Sequence, residues 1–357
     1  MLDSRLHTLA QILVTQSLDV KKSEKVSLRL AGLEGLPLAR ACYESIINAG
    51  GHPHFQASDE YMDEYFFAHA NDEQIAAQPD LALHHAHYFD KNLTIVAESN
   101  VNNLTNIESD KLLARSRLTH PIKKVIMSKP FVLTYYPTSA LAQAAHMSVR
   151  ELENYIFTAT NQDWFLMSQY MHRLAKKLTH KKIRLIGKKT DLTLDTKGRK
   201  WITDDWKANM PGGEVFTSPI LESVNGHIYF DFPLSRHGKT MSDIYLEFKN
   251  GKIIQVSANN NQKFLQTLLA TDEFAPFVGE IAIGLNKGCT RYLDNILFDE
   301  KMAGTIHLAL GAGFPECGQP CNHSALHLDI VKDMRLPGSQ IWANDELILE
   351  EGKLLIK

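Results

Sequence analysis

Five acid and imidazole side chains in the second half of the chain lie inside segments that otherwise read as protein core. Glu214 sits in Met210-Pro211-Gly212-Gly213-Glu214-Val215-Phe216, and Glu280 in Gly279-Glu280-Ile281-Ala282-Ile283-Gly284. His307 sits in Gly304-Thr305-Ile306-His307-Leu308-Ala309-Leu310-Gly311, and His327 and Asp329 share Ser324-Ala325-Leu326-His327-Leu328-Asp329-Ile330. Burying an unpaired charge is costly, so solvated acids and histidines rarely occupy such places. A metal cation held between them would offset the cost, and the set therefore points to function rather than to surface decoration.

The pair His327 and Asp329 carries the plainest geometry. Two residues apart on a strand, their side chains point to one face, while Leu326, Leu328 and Ile330 point to the other. A core histidine hydrogen-bonded to its neighbour is the structural alternative. Glu214 follows two glycines, which permit tight backbone packing; a turn or capping acid is its alternative. Glu280 opens an alternating strand, where a rim position competes with an inward one. His307 stands in the middle of an apolar run, with a core histidine as its competitor. Taken jointly, two imidazoles and three carboxylates form a hard N/O ligand set suited to Zn²⁺, Co²⁺ or Mn²⁺ and not to a sulfur-ligated ion. Three carboxylates can bridge and balance two divalent ions. Ions about 3.5–4 Å apart polarise a carbonyl and generate hydroxide from water, the chemistry of amide hydrolysis.

Other sequence properties narrow the class. With 357 residues the chain can form two domains and a large core. A net charge of −3 argues against nucleic acid or an anionic membrane as the main partner. The longest apolar runs, such as Phe131 to Tyr136, are too short to span a bilayer. The stretch Met1 to Asp19 reads as an amphipathic helix and not a signal peptide. Four cysteines (Cys42, Cys289, Cys317 and Cys321) do not make a disulfide scaffold, and the expected location is cytoplasmic.

The expected fold class is α/β in two domains. The first half alternates β runs (Lys25 to Leu30, His54 to Ala57, Leu93 to Ala97, Phe131 to Tyr136) with helical patterns such as Leu36 to Ala49, closed by Gly50-Gly51. This predicts an N-terminal domain, residues 1–178, with a mostly parallel sheet and flanking helices. No Gly-x-Gly-x-x-Gly run follows the first strand, so nothing supports a dinucleotide site. Val149 to Lys177 reads as helical. Residues 179–357 are predicted to form a mixed-sheet α+β domain that carries all five candidate ligands, with Asn250-Gly251 as a hairpin turn.

The four segments that carry the ligands resemble, in order, signatures of the thermophilic metallo-aminopeptidase family, which includes aminopeptidases T and S. The resemblance covers roughly Asn209 to Asp333, and chain length and domain order agree with it. It implies a co-catalytic metallo-exopeptidase that removes N-terminal residues, leucine-type and broad, from peptide substrates. Two divalent ions (Zn, Co, Mn or Mg) are implied, with Glu214, Glu280, His307, His327 and Asp329 as ligands, and so is a homodimer. Glu214 or Glu280 would move the proton from the attacking water to the leaving amine.

One position departs from the family pattern. Seven residues after His307 the family carries a tyrosine, and here Phe314 stands. If that hydroxyl supports the tetrahedral intermediate, its loss costs roughly 10²–10³ in rate, as for other oxyanion donors, unless Tyr292 or His323 substitutes. The run Cys317-x₃-Cys321-x-His323 has spacing unlike a zinc knuckle and reads as buried thiols. Two other functions compete with the peptidase. His307, His327 and Asp329 alone form a two-histidine, one-carboxylate set of the kind used by non-haem Fe(II) oxygenases, and a ring-cleaving dihydroxypyridine dioxygenase resembles this fold. Glu214 and Glu280 separate the two, since a single iron does not need them. A member that has lost activity through Phe314 is the other.

Overall fold

The computed structural model describes residues 3–236 and 238–355. The chain divides into two compact units, Met1–Gln162 with Trp206–Gly212, and Asp163–Asp205 with Gly213–Lys357. The expected α/β class holds. The division, however, falls before the helix Trp164–Leu178, where the sequence placed it at 178/179. That helix buries Met171, Leu174 and Leu178 in the core of the second unit, because its apolar stripe packs on the strands Ile202–Asp204 and Glu214–Thr217. The single helical pattern over 149–177 is broken by Asn161-Gln162-Asp163. The helix Val149–Thr160 ends there, and the Asp163 side chain caps the next one by accepting from the Leu166 N–H.

The first unit is built on a five-stranded, wholly parallel sheet ordered His52–Ser58, Lys25–Ala31, Lys91–Val96, Phe131–Tyr135, Asn209–Met210. Its last strand belongs to the returning segment 206–212, which no local signal announced. Helix Ser4–Gln11 continues as a wider π-type turn over Ile12–Ser17. Met1 and Leu2, which the sequence put at the head of that helix, lie outside the described residues.

The second unit contains a nine-stranded sheet and a five-stranded sheet. Both are antiparallel throughout, so the mixture of pairing directions lies between the two units and not inside the second. The Asn250-Gly251 turn joins the hairpin Lys239–Lys249 and Lys252–Asn259, both turn residues having positive φ as that hairpin type requires. The five-stranded sheet runs His327–Asp333, Thr305–Gly311, Val278–Gly284, Glu214–Thr217, Ile202–Asp204. Val215, Ile281, Ile283, Ile306, Leu308, Leu328 and Ile330 share one core with Leu192, Ile228 and Leu246 of the larger sheet. Each such side chain contributes about 1.5–3 kcal/mol on burial. That core holds one face of the five-stranded sheet in place and leaves the other for chemistry. Among the described residues no helix is long and apolar enough to cross a membrane, and the four cysteines are buried and form no disulfide.

Candidate metal centre

Strand alternation puts all five sequence-predicted residues on the face of the five-stranded sheet opposite the core. The register then pairs each with a small partner. His307 lies opposite Ala282, Glu214 opposite Gly284, His327 opposite Gly311, and Ala309 lies opposite both Glu280 and Asp329. Directly opposed side chains have Cβ atoms about 4.5–5.5 Å apart, so the alanines and glycines are the space into which the ligand side chains lean. A register shift between Val278 and Glu280 adds to this. It lets Val278 join the core while Glu280 turns to the site. Gly311 has φ +91°, and a Cβ there would meet the Leu326 carbonyl oxygen at 2.2 Å.

The five groups form one cluster. His307 Nδ1 is 3.6 Å from Glu214 Oε2, and His307 Nε2 is 3.6 Å from Glu280 Oε1 and 3.8 Å from Asp329 Oδ1. His327 Nε2 is 3.5 Å from Glu280 Oε2 and 3.3 Å from Asp329 Oδ1. The His327 Nδ1–H donates to the Ala312 carbonyl at 3.0 Å, which turns Nε2 toward the carboxylates. Glu214, Glu280 and His307 are buried, whereas the His327 side chain is 35 % exposed, so the cluster opens to solvent at its His327 end.

The sequence missed three further members. Lys301, fully buried, places its ammonium 2.8 Å from Asp204 Oδ2, 2.5 Å from Glu214 Oε1 and 2.6 Å from Glu300 Oε1. Asp204 comes from the strand paired with Glu214. Glu300 joins Glu214 and His307 as one group of possible metal ligands, and Glu280, His307 and Asp329 form a second. The available signal was a charged pair, Glu300-Lys301, set among the buried residues Leu297, Phe298 and Met302.

Burial and neighbouring charges together shift four groups of this pocket. Burial pushes the Glu214 carboxyl up to about 8, against the pull of Lys301. Burial opposes charge on His307, yet Glu214 and then Glu280 raise it to about 10. His327 is raised to about 9, where burial is outweighed by Asp329 and Glu280. Burial works to raise Asp329, but the His327 imidazole outweighs it and holds the carboxyl at about 2. Three atoms nonetheless remain without any hydrogen-bond partner: Glu214 Oε2, His307 Nδ1 and Asp329 Oδ1. Buried polar atoms are normally satisfied. Orphaned lone pairs from two carboxylates and an imidazole on one sheet face are what a divalent cation would take up, and the donor set fits it.

The chain matches the thermophilic metalloprotease (M29) model over residues 2–354. It belongs to the M29 family. Aminopeptidase 2 of Geobacillus stearothermophilus is 24 % identical over 88 % of this chain and 84 % of its own length. Aminopeptidase AmpS of Bacillus subtilis is 27 % identical, over 61 % of each chain. Aminopeptidase T of Thermus aquaticus is 30 % identical, over 51 % of this chain and 52 % of its own. The matched regions thus span about half to four-fifths of these relatives. Among solved structures, wild-type AmpT from Thermus thermophilus superposes over 99 % of both chains with a TM-score of 0.87 at 21 % identity. A dihydroxypyridine dioxygenase from Pseudomonas putida KT2440 covers 99 % of this chain and 98 % of its own, with a TM-score of 0.60 at 13 % identity. Both likenesses concern the fold alone.

Phe314, where the resemblance leads one to expect a tyrosine, lies at the cluster. Its ring is edge-on to His327 with centroids 5.6 Å apart, and 5.0 Å from the ring of Phe216. Tyr292 does not stand in for the missing hydroxyl, because its OH donates to the Pro233 carbonyl at 2.7 Å and lies 2.9 Å from Asp294. His323 is exposed and stands against Cys321. Among the described residues Cys317 and Cys321 join no group of possible metal ligands.

Proposed function

We propose that this M29 protein is a two-metal aminopeptidase, with Glu214, Glu280, His307, His327 and Asp329 as ligands and Glu300 beside them. The charge of the cluster carries the reading. Asp204, Glu214, Glu280, Glu300 and Asp329 set five carboxylates against the single ammonium of Lys301. With neutral imidazoles that leaves four negative charges, the charge of two divalent cations. Such a pair supplies Lewis-acid polarisation of the scissile carbonyl and lowers the pKa of water at the site.

The chain's own residues do the rest. The open His327 end admits the peptide, and the rings of Phe216 and Phe314 offer an apolar wall to its first side chain, in keeping with leucine-type substrates. Glu214, ionised when it holds a cation, is one candidate to move a proton from the attacking water to the leaving amine. Glu280 is the other candidate for that transfer. Lys301 keeps the Glu214 carboxylate in place and balances part of its charge. The same reading takes the protein as a cytoplasmic homodimer, which sedimentation of the purified chain would check.

The oxygenase alternative needs only His307, His327 and Asp329, and leaves the buried Glu214 and Glu280, and Glu300 beside them, without a task. The test is release of free leucine from a leucyl dipeptide by protein stripped of metal and refilled in turn with Co²⁺, Zn²⁺, Mn²⁺ and Mg²⁺. Cleavage should return with about two equivalents of ion. No cleavage with any ion would sink the peptidase reading, and activity saturating at one equivalent would sink the two-metal part.

A further inference from the structure

The parallel sheet of the first unit has one face that does not suit a buried sheet. Strands of a parallel sheet are ordinarily apolar on both faces, because helices cover both. Here one face follows the rule. Val26, Leu28, Leu30, Leu93 and Ile95 are fully buried, with helix Leu36–Asn48 packed on the strands Lys25–Ala31 and His52–Ser58. On the strands His52–Ser58, Lys25–Ala31 and Lys91–Val96 the opposite face is polar. Ser27 pairs with His54 and Asn92, and Arg29 pairs with Gln56 and Thr94.

Between this polar face and the helices Asp80–Tyr88 and Ser109–Met127 lies a cavity of about 540 Å³. Ser27, Arg29, Gln56, His85 and Asn92 line its polar side, and Phe89, Ile122 and Ile126 its apolar side. Among the described residues two of these polar groups have no protein partner, the guanidinium of Arg29, an exposed residue, and the amide nitrogen of Asn92, a buried one. Asn92 is only 5 % exposed, and its Nδ2 has no hydrogen-bond partner. Arg29 makes no hydrogen bond or ion pair within 4 Å among the described residues, and the Asp63 carboxyl acts on it only at longer range. Gln56 and His85, by contrast, bond to each other at 2.9 Å (Nε2 to Nδ1). An orphaned buried amide donor costs stability, which a ligand bearing an acceptor would recover.

We propose that this cavity binds a small organic oxyanion, a carboxylate or phosphate carried on an apolar chain, with Arg29 and Asn92 as its donors. The guanidinium takes the oxyanion by charge-assisted hydrogen bonds, and Asn92 Nδ2 donates to one of its oxygens. The volume exceeds what a bare phosphate fills and matches a drug-sized or smaller ligand. The apolar body then lies against Phe89, Ile122 and Ile126. The site is independent of the metal centre and of the peptidase reading.

The test titrates the metal-loaded full chain with isocaproate, isoamyl phosphate and isocaproamide, reading heat of binding. One of the two anions should bind, which tells carboxylate from phosphate, and the uncharged amide should not. Arg29→Met should weaken binding roughly tenfold or more, the worth of a charge-assisted bond, and Arg29→Lys should restore part of it. Asn92→Leu should also weaken binding while leaving the ligand-free protein at least as stable to heat, since it deletes an unpaired donor. His327→Ala should leave anion binding unchanged. Failure of both anions to bind overturns the proposal, and so does binding that His327→Ala abolishes and Arg29→Met spares, which would assign the anion to the metal centre.

Discussion

The two ends of the candidate metal cluster reach the same charge by different means. At the His327 end, Glu280 and Asp329 are two carboxylates with no protein ammonium among them, and His327 opens that end to solvent. At the Glu214 end, Asp204 and Glu214 are buried and Glu300 partly so, three carboxylates with Lys301 between them. Each end therefore keeps two net negative charges when its imidazoles are neutral. On the proposed reading, one end meets a cation and substrate from outside. The other carries an internal cation that keeps a third carboxylate affordable in the core. A buried acid cluster can thus be tuned to an ion's charge by a lysine that never touches the substrate.

The largest effect should come from the open end. His327→Ala removes the ligand that faces solvent, and peptidase activity should fall at least roughly thousandfold, since Lewis-acid stabilisation is worth several kcal/mol. Activity within tenfold of the parent would show that the open end is not where the chemistry occurs. At the closed end, Lys301→Met leaves three carboxylates uncompensated. We expect about 3–5 kcal/mol of destabilisation in the cation-free protein, as for other broken buried ion pairs, largely recovered on adding divalent cation. Urea titration with and without cation checks this, and an equal loss in both would mean that Lys301 does not share its charge role with the ion.

Phe314→Tyr sharpens the comparison at the rim. A hydroxyl added to a ring that stands against His327 should raise kcat by up to roughly 10²–10³, the worth of an oxyanion donor. An unchanged kcat would show that the missing hydroxyl is no lesion. The smallest effect is on pH. His307 and His327 are raised above 6.5, to about 10 and about 9, in the cation-free cluster. Their contribution to stability is then fully present below pH 6.5 and is lost as pH rises through 9 and 10. A cation needs the imidazoles deprotonated, so binding should release protons at neutral pH and tighten as pH rises. Titration calorimetry in buffers of different ionisation heat reads this directly, and binding with no proton uptake or release would contradict it.

Much of the site was legible before any coordinates, for a simple reason. A strand has a period of two. A ligand flanked by apolar neighbours and followed two residues on by alanine or glycine, as in Glu280-x-Ala282-x-Gly284 and His307-x-Ala309-x-Gly311, already declares a core face and a site face. The fold class followed from the same periodicities. The domain boundary did not, because the helix Trp164–Leu178 has an apolar stripe that either unit could have covered. Nor could local pattern bring the segment 206–212 back to the parallel sheet, where it adds the strand Asn209–Met210.

By itself the sequence determined which side chains are ligand-like and which face of each strand they share, because alternation is a property of the backbone. Only the tertiary structure decided what surrounds them. Glu300 and Lys301 lie in a connection with no strand period, and only the antiparallel register brings Asp204, Glu214 and His307 within reach of them. Likewise the polar residues of the first sheet, Ser27, Arg29, Gln56 and Asn92, are scattered along three strands. They become a cavity wall only when parallel pairing stacks them side by side. Charge balance and cavities depend on distances between segments remote in sequence, and those distances are set by packing.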